Sequence, residues 1–328
     1  PVFRVPLAML VQQEPAGRYD YEHAQFLVEE RATSMQLSLS SLLPEPLSEA
    51  GTEREMPVDI AAFGRSEFDS VRVASEVSMR NMIVEGVRSV ASPIELPSLP
   101  GVKEEMRRIE SLFKKVRIFE EEDATKSAFR AQSTQAAILH LSSHALVDAS
   151  SPLRNAFIFA PEQDGSANDS GLLYLHELQG TYASIPLVNL SGCDTARGAL
   201  QQGEGMRSLQ YAFQAVGAQA TVSNLWPIDD QAAVHLAEGF YQHLQQGRPK
   251  DVALQHAQLQ YLRDHPERSS PFFWAGTVLH GSPTPMSLER SPVLFAQWRV
   301  ALGVTTVIGF LLIIGYYLYK QFTPYRAT

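Results

Sequence analysis

Residues 138–145, ILHLSSHA, and 188–198, VNLSGCDTARG, decide the fold. Each opens as a short apolar run and closes in small, turn-prone residues, the pattern of a buried strand leaving a sheet. Outward from these two, strand-like runs alternate with helical patterns. Met106, Ile109, Leu112 and Phe113 recur at helical spacing before the strand candidate KVRIF at 115–119, and a second helix is predicted over about 124–131. NAFIFA at 155–160, PLVNLS at 186–191 and ATVSNL at 220–225 read as further strands. Met206, Leu209, Phe213 and Val216 form an apolar stripe that ends at Gly217. A helix beginning at Asp229 or Asp230 is expected to stop at Gly247, and Pro249 opens another that runs to about Asp264. No internal repeat or low-complexity segment is visible. The alternation predicts an α/β fold, a mostly parallel sheet flanked by helices.

The far end reads differently. Residues 300–319, VALGVTTVIGFLLIIGYYLY, carry no charge and are long enough to cross a hydrocarbon core of ~30 Å as a helix. Arg299 and Lys320 bracket the run, with Trp298, Tyr316, Tyr317 and Tyr319 as interfacial aromatics. One membrane-spanning helix is therefore expected after a linker at 283–299, with a short tail at 320–328. Flanking charge does not orient it, since Arg290 and Arg299 balance Lys320 and Arg326. The chain of 328 residues has a single cysteine, Cys193, so no intrachain disulfide forms and a structural zinc site lacks its usual thiolates. A lone thiol fits a reducing compartment, which places the globular part in the cytoplasm and the tail across the membrane. The net charge of −9 argues against nucleic acid as a partner.

Function in open α/β sheets gathers at the carboxyl ends of strands, and His144 and Cys193 stand at two such ends, 49 residues apart. A caspase-type histidine lies about 50 residues before its cysteine. An imidazole beside a thiol takes its proton to make the nucleophile, then returns a proton to the leaving amine. Backbone N–H groups of Cys193 and Ala145 are placed to hold an oxyanion. The alternative for the same pair is an inert core thiol beside a hydrogen-bonded histidine. His140 and His144 spell H-x-x-x-H, but on a strand without a carboxylate motif this is no metal site, and His140 reads as a satisfied strand histidine. Gly203 and Gly205 lack the lysine of a phosphate loop, so no nucleotide or other cofactor is expected.

These motifs resemble the CHAT family, caspase-like peptidases of the caspase and separase clan that are often fused to tetratricopeptide repeats. The resemblance runs over 1–282. It rests on FLVEERATSMQLSLSSLL, LPSLPGVKEEMRRIESLF, EEDATKSAFR, LHLSSHA, NLSGCDTARG, GEGMRSLQYAFQAVGAQATVSNLWPIDD, FYQHLQQGRPKDVALQHAQLQYL and PFFWAGTVLHG, in that order. It implies a caspase-like sheet, His144 as catalytic histidine, Cys193 as nucleophile and a protein or peptide substrate. Ala145 stands where the family usually has glycine. PVFRVPLAML resembles a block that follows an earlier strand, so a first strand and a repeat module with its own protein partners are expected upstream of Pro1. Trp226, with Asp229 or Asp230, is a candidate to line an acidic pocket for the residue before the scissile bond, although the aspartates read first as caps of the next helix. Asp194 would orient the site or select a basic residue. Two other readings keep the same fold: a membrane-anchored scaffold without catalysis, and an acyltransferase using the same dyad.

Overall fold

Both faces of residues 136–142 are buried, so the strand they form lies in the middle of a layered structure and not at an edge. The computed structural model describes residues 6–13, 17, 20–35, 56–68, 71–72, 93–94, 96–146, 155–162, 171–178, 185–191, 210 and 212–289. The chain divides into two units, Pro1–Glu289 and Arg290–Thr328. The second lies outside the described residues, and with it the membrane-helix candidate at 300–319. Among the described residues no helix is long and apolar enough to cross a membrane.

In chain order, a ribbon of β1 (Val11–Gln13) and β2 (Gln25–Phe26) comes before β3 (Val58–Gly64). A second ribbon pairs β4 (Val71–Arg72) with β5 (Pro93–Ile94). Next come helix α1 (Gly101–Leu112), β6 (Val116–Glu120), helix α2 (Lys126–Gln132) and β7 (Ala136–Ser142). Strands β8 (Ala145–Leu146), β9 (Ala156–Ile158) and β10 (Leu172–Tyr174) make a small antiparallel sheet. The chain continues with β11 (Leu187–Leu190), β12 (Ala220–Asn224), α3 (Asp230–Gln245), α4 (Lys250–Asp264), α5 (Pro271–Trp274) and β13 (Thr277–Gly281). Six strands form the central sheet in the order β13-β12-β11-β7-β3-β6. All neighbours in it are parallel except the β12–β13 pair, so the mixed α/β architecture has the mostly parallel sheet expected of it.

Side chains alternate across a strand, and here each set meets its own apolar layer. Phe63, Leu139, Leu141, Val188 and Leu190 pack with Phe129, Phe157, Phe159 and Phe213 on one face. Ile60, Ala62, Ile138, Leu187 and Val222 pack against Met106 and Ile109 of α1, Phe240 of α3 and Leu254 of α4 on the other. Helix α1 comes so close to β3 that a Cβ on Gly64 would meet Met106 and Val102 side-chain atoms at 2.8 Å, which leaves room for glycine only.

Local signals set the helix ends. The Thr125 hydroxyl accepts from Ala128 N at 3.2 Å, so α2 begins one residue beyond its cap and slightly later than the pattern predicts. The Asp229 carboxylate caps α3 through Ala232 N at 3.3 Å. That helix stops where Gly247 adopts a φ of 77°, a left-handed turn that glycine adopts without strain. Of the predicted stripe at 206–216, residues 206–209 and 211 lie outside the described residues, and 212–215 are helical.

Residues 283–289, predicted to begin the linker, run along the domain. Met286 is buried in the α1/α3/α4 layer, and Glu289 pairs with Lys115 at 2.6 Å and Lys114 at 3.3 Å. Lys250, almost fully buried in the first turn of α4, donates to the Thr284 carbonyl at 2.7 Å. Burial pushes its ammonium down from 10.5 to about 8. Between those values the unfolded chain binds the extra proton, so stability should rise as pH climbs from about 8 towards 10.5. Urea denaturation at the two ends of this window should show that rise in the wild type and a smaller one in Lys250→Met; equal slopes would exclude Lys250 as its source.

Candidate active site

The ladder between β7 and β11 brings the two decisive stretches together. Ile138 lies opposite Leu187 and His140 opposite Asn189, and Ser191 N donates to Leu141 O at 2.9 Å just past the end of β11. Because of the period of two, Ile138, His140 and Ser142 face α1 and α3, as do Leu187, Asn189 and Ser191.

His144 follows β7 by two residues and is fully buried. Its Nε2 lies 2.8 Å from the Pro97 carbonyl oxygen, and the Phe68 ring packs beside it at a centroid distance of 4.6 Å. A carbonyl can only accept, so Nε2 is the donor. Ile158 N donates to His144 O at 3.1 Å and Ser143 Oγ to Ile158 O at 2.6 Å, which ties the histidine's backbone to β9. Ala145 opens β8 opposite Phe157. Cys193 and Asp194 lie outside the described residues; the described chain reaches Ser191, whose carbonyl accepts from Asn224 Nδ2 at 3.0 Å.

Beneath the two strand ends sits a group that the sequence reading did not single out. Glu105, on the apolar face of α1 and only 3% exposed, accepts from Ser142 Oγ at 2.7 Å and from Ser191 Oγ. His140 Nε2 lies 3.4 Å from Glu105 Oε1, an ion-pair contact looser than a well-aligned hydrogen bond. On the other side of that ring, Nδ1 is 2.7 Å from the Tyr241 hydroxyl, which accepts from Asn189 Nδ2 at 2.8 Å. Burial pushes the Glu105 carboxyl up, but attraction and hydrogen bonding to His140, with the two serine hydrogen bonds, outweigh it and hold the carboxyl below the usual range. Burial, first of all, raises the Tyr241 phenol well above its ordinary value. His140 is thus a strand histidine with partners, one of them a carboxylate. Among the described residues no group of three metal-ligating side chains forms.

The remaining pocket candidates separate in space. Asp229 is occupied by the α3 cap and by Arg268 Nη1 at 2.7 Å, and Trp226 Nε1 donates to Phe272 O at 2.8 Å. Asp230, near Gly101 N at 3.4 Å, shares with Glu105, Ser142, Ser191 and Asn224 the lining of a cleft of about 50 Å³.

With this geometry in view, comparison with known proteins gives the relationship. The sequence profile of the CHAT domain matches residues 1–282. This chain belongs to the CHAT domain family. A curated relative of this CHAT domain is the mouse (Mus musculus) tetratricopeptide repeat protein 28, 31% identical over 120 residues, which are 37% of this chain and 5% of that protein. Among solved structures, the complex of Porphyromonas gingivalis RgpB pro- and mature domains covers 70% of this chain and 48% of its own, at 6% identity and a TM-score of 0.41. The Arg-specific cysteine proteinase gingipain R covers 70% and 47%, at 9% identity and a TM-score of 0.37. The CHAT chain therefore spans about a twentieth of the mouse relative and under half of each solved chain.

Glu105 was legible in one respect. It falls in the stripe Val102, Met106, Ile109 and Leu112 that α1 buries, and a lone carboxylate on an apolar face signals a buried partner. Its serine and histidine partners come from strands distant in sequence, which periodicity does not connect. His140→Ala, which leaves the Glu105 carboxylate without its ion-pair neighbour, should lower the unfolding free energy by about 3–5 kcal/mol. His144→Ala, which leaves the Pro97 carbonyl without its donor, should cost about 1–3 kcal/mol. Urea denaturation of both variants checks the order, and a reversed order would contradict this division of roles.

Proposed function

We propose that this CHAT domain is a caspase-like cysteine endopeptidase in which Cys193 is the nucleophile and His144 its base. One observation carries the reading: His144 leaves the carboxyl end of β7 with Nε2 tied to the Pro97 carbonyl, beside the end of β11, three residues beyond which the sequence places Cys193. That hydrogen bond fixes the orientation of the ring. In the proposed cycle Nδ1 takes the Cys193 proton and the thiolate adds to the scissile carbonyl carbon. The backbone N–H groups of Cys193 and Ala145 hold the resulting oxyanion. The imidazolium then protonates the leaving amine as the C–N bond breaks, and water, deprotonated by the same ring, hydrolyses the thioester and restores the thiol.

The family and the repeat-containing mouse relative support a tetratricopeptide module upstream that recruits protein partners. For the residue before the scissile bond, Asp230 in the cleft beside the strand ends favours Arg or Lys, with Trp226, Asp229 and Asp194 as the other candidates. Cys193→Ala should abolish cleavage of Arg- and Lys-containing peptides, and His144→Ala should lower kcat by at least ~100-fold, with thermal unfolding as the control for folding. Full turnover in purified Cys193→Ala would end the cysteine-protease reading. A folded wild type inert towards peptides and towards a peptide electrophile would favour the silent scaffold.

We propose further that residues 300–319 tether the domain to a membrane with the peptidase on the cytoplasmic side, a reading supported by the uncharged run and its flanking aromatics. Deletion of 300–328 should release the protein in soluble, active form. Extraction of the full chain by alkaline wash, or protection of residues 1–282 inside sealed vesicles, would overturn this topology.

A further inference from the structure

The dyad's two strand ends share one carboxylate. Ser142 stands two residues before His144 and Ser191 two residues before Cys193. Both hydroxyls donate to Glu105, one to each oxygen: Ser142 Oγ to Oε2 at 2.7 Å and Ser191 Oγ to Oε1. The carboxylate is carried by α1, a helix that is part of neither strand. It is also buried, where a hydrogen bond to a charged acceptor is short and directional and solvent does not compete. His140 at 3.4 Å is the facing basic group, Tyr241 lies beyond it, and Asp230 lines the same cleft.

We infer that Glu105 is a positioning residue for the proposed peptidase: by bridging Ser142 and Ser191 it sets the spacing of the two strand ends from which His144 and Cys193 emerge. The inference rests on the dyad reading above. The β7–β11 ladder pairs residues as far as Leu190, with one more backbone bond, Ser191 N to Leu141 O, just beyond it. The serine bridge adds a side-chain link between the two strand ends, at positions two residues before each residue of the proposed dyad. Displacement of a reacting group by about 1 Å costs on the order of 100-fold in rate, so a clamp at this point has kinetic leverage.

Ser142→Ala and Ser191→Ala each remove one arm, leave the ion pair with His140 in place and avoid stranding the buried carboxylate. In the full chain, each should lower kcat by ~10-fold or more with KM changed less than ~2-fold. The double variant should lose little more than the worse single one, since either change opens the bridge. Glu105→Gln, which retains groups able to bond both hydroxyls, should keep more kcat than Glu105→Ala when both are compared under conditions where each is folded. A second readout needs no substrate turnover: the pH profile of Cys193 alkylation by iodoacetamide should move up towards that of an ordinary thiol in the serine variants, as in His144→Ala. Serine variants that are folded and match the wild type in both kcat and alkylation profile would overturn the positioning role. Glu105→Ala with wild-type kcat while folded would do the same. If the wild type hydrolyses no peptide but its alkylation profile shifts in these variants, the peptidase reading fails and the clamp stands. An alkylation profile insensitive to His144→Ala would remove the dyad and the clamp together.

Discussion

The parallel pairing of β7 with β11 is the constraint on which the rest of the molecule depends. Its register sets His140 against Asn189 and Leu141 against Leu190. A slip of one residue would turn His140 and Ser142 into the phenylalanine-rich layer and expose Leu139 and Leu141 to the polar groups beneath α1. Hydrophobic burial on two faces penalises that slip severely, because both layers are closed. Polar satisfaction penalises it again, because Glu105 and Tyr241 wait on one side only. The two penalties have the same sign, which is the condition for a single native register.

The polar chain beneath the sheet does not stabilise the fold in any simple sense. Removing a carboxylate from water costs several kcal/mol, and a buried polar contact of this kind often contributes no more than an apolar replacement of equal volume. What Asn189, Tyr241, His140, Glu105 and the two serines share is direction. Each contact joins two different elements: β11 with α3, α3 with β7, β7 and the end of β11 with α1. An apolar filling would hold the same elements together with no preference for a particular sub-ångström alignment. The arrangement therefore acts on precision more than on total stability.

Much of this was legible in the sequence, for reasons that can be named. Residues 136–142 are apolar almost throughout because a central parallel strand meets protein on both sides, and a long apolar run survives any local ambiguity. The start of α3 was readable from Asp229 because a cap is local chemistry, and its end because Gly247 supplies the left-handed turn. Strand β3 was much less legible. VDIAAFG contains two alanines and a glycine, weak strand formers, and Ala62 and Gly64 lie on the face that α1 covers closely. The role of residues 283–289 was hidden too, since proline, serine and threonine read as linker and only tertiary contacts with Lys115 and Lys250 tie them down. At the site, His144 and Ala145 could be placed by their position after an apolar strand. Glu105 could be flagged as a carboxylate in an apolar stripe, but Pro97, Ser142 and Ser191 act through contacts that only the folded chain creates.

One short segment acts on both halves of the candidate site. From Leu96 to Leu112 the chain supplies the Pro97 carbonyl that holds His144 Nε2, then Leu99 N, which donates to Ser66 O at 2.9 Å, and finally Glu105. The histidine is thus oriented by the approach to α1 and the strand ends by its second turn. Helix α1 is a single rigid rod seated on Gly64 and packed against α3, where Arg108 pairs with Glu238. A shift of the helix along its axis would move the Pro97 carbonyl and the Glu105 carboxylate in the same direction, disturbing the ring orientation and the strand spacing at once. Both halves of the candidate site are therefore coupled to the seating of one helix, which approaches β3 most closely at Gly64.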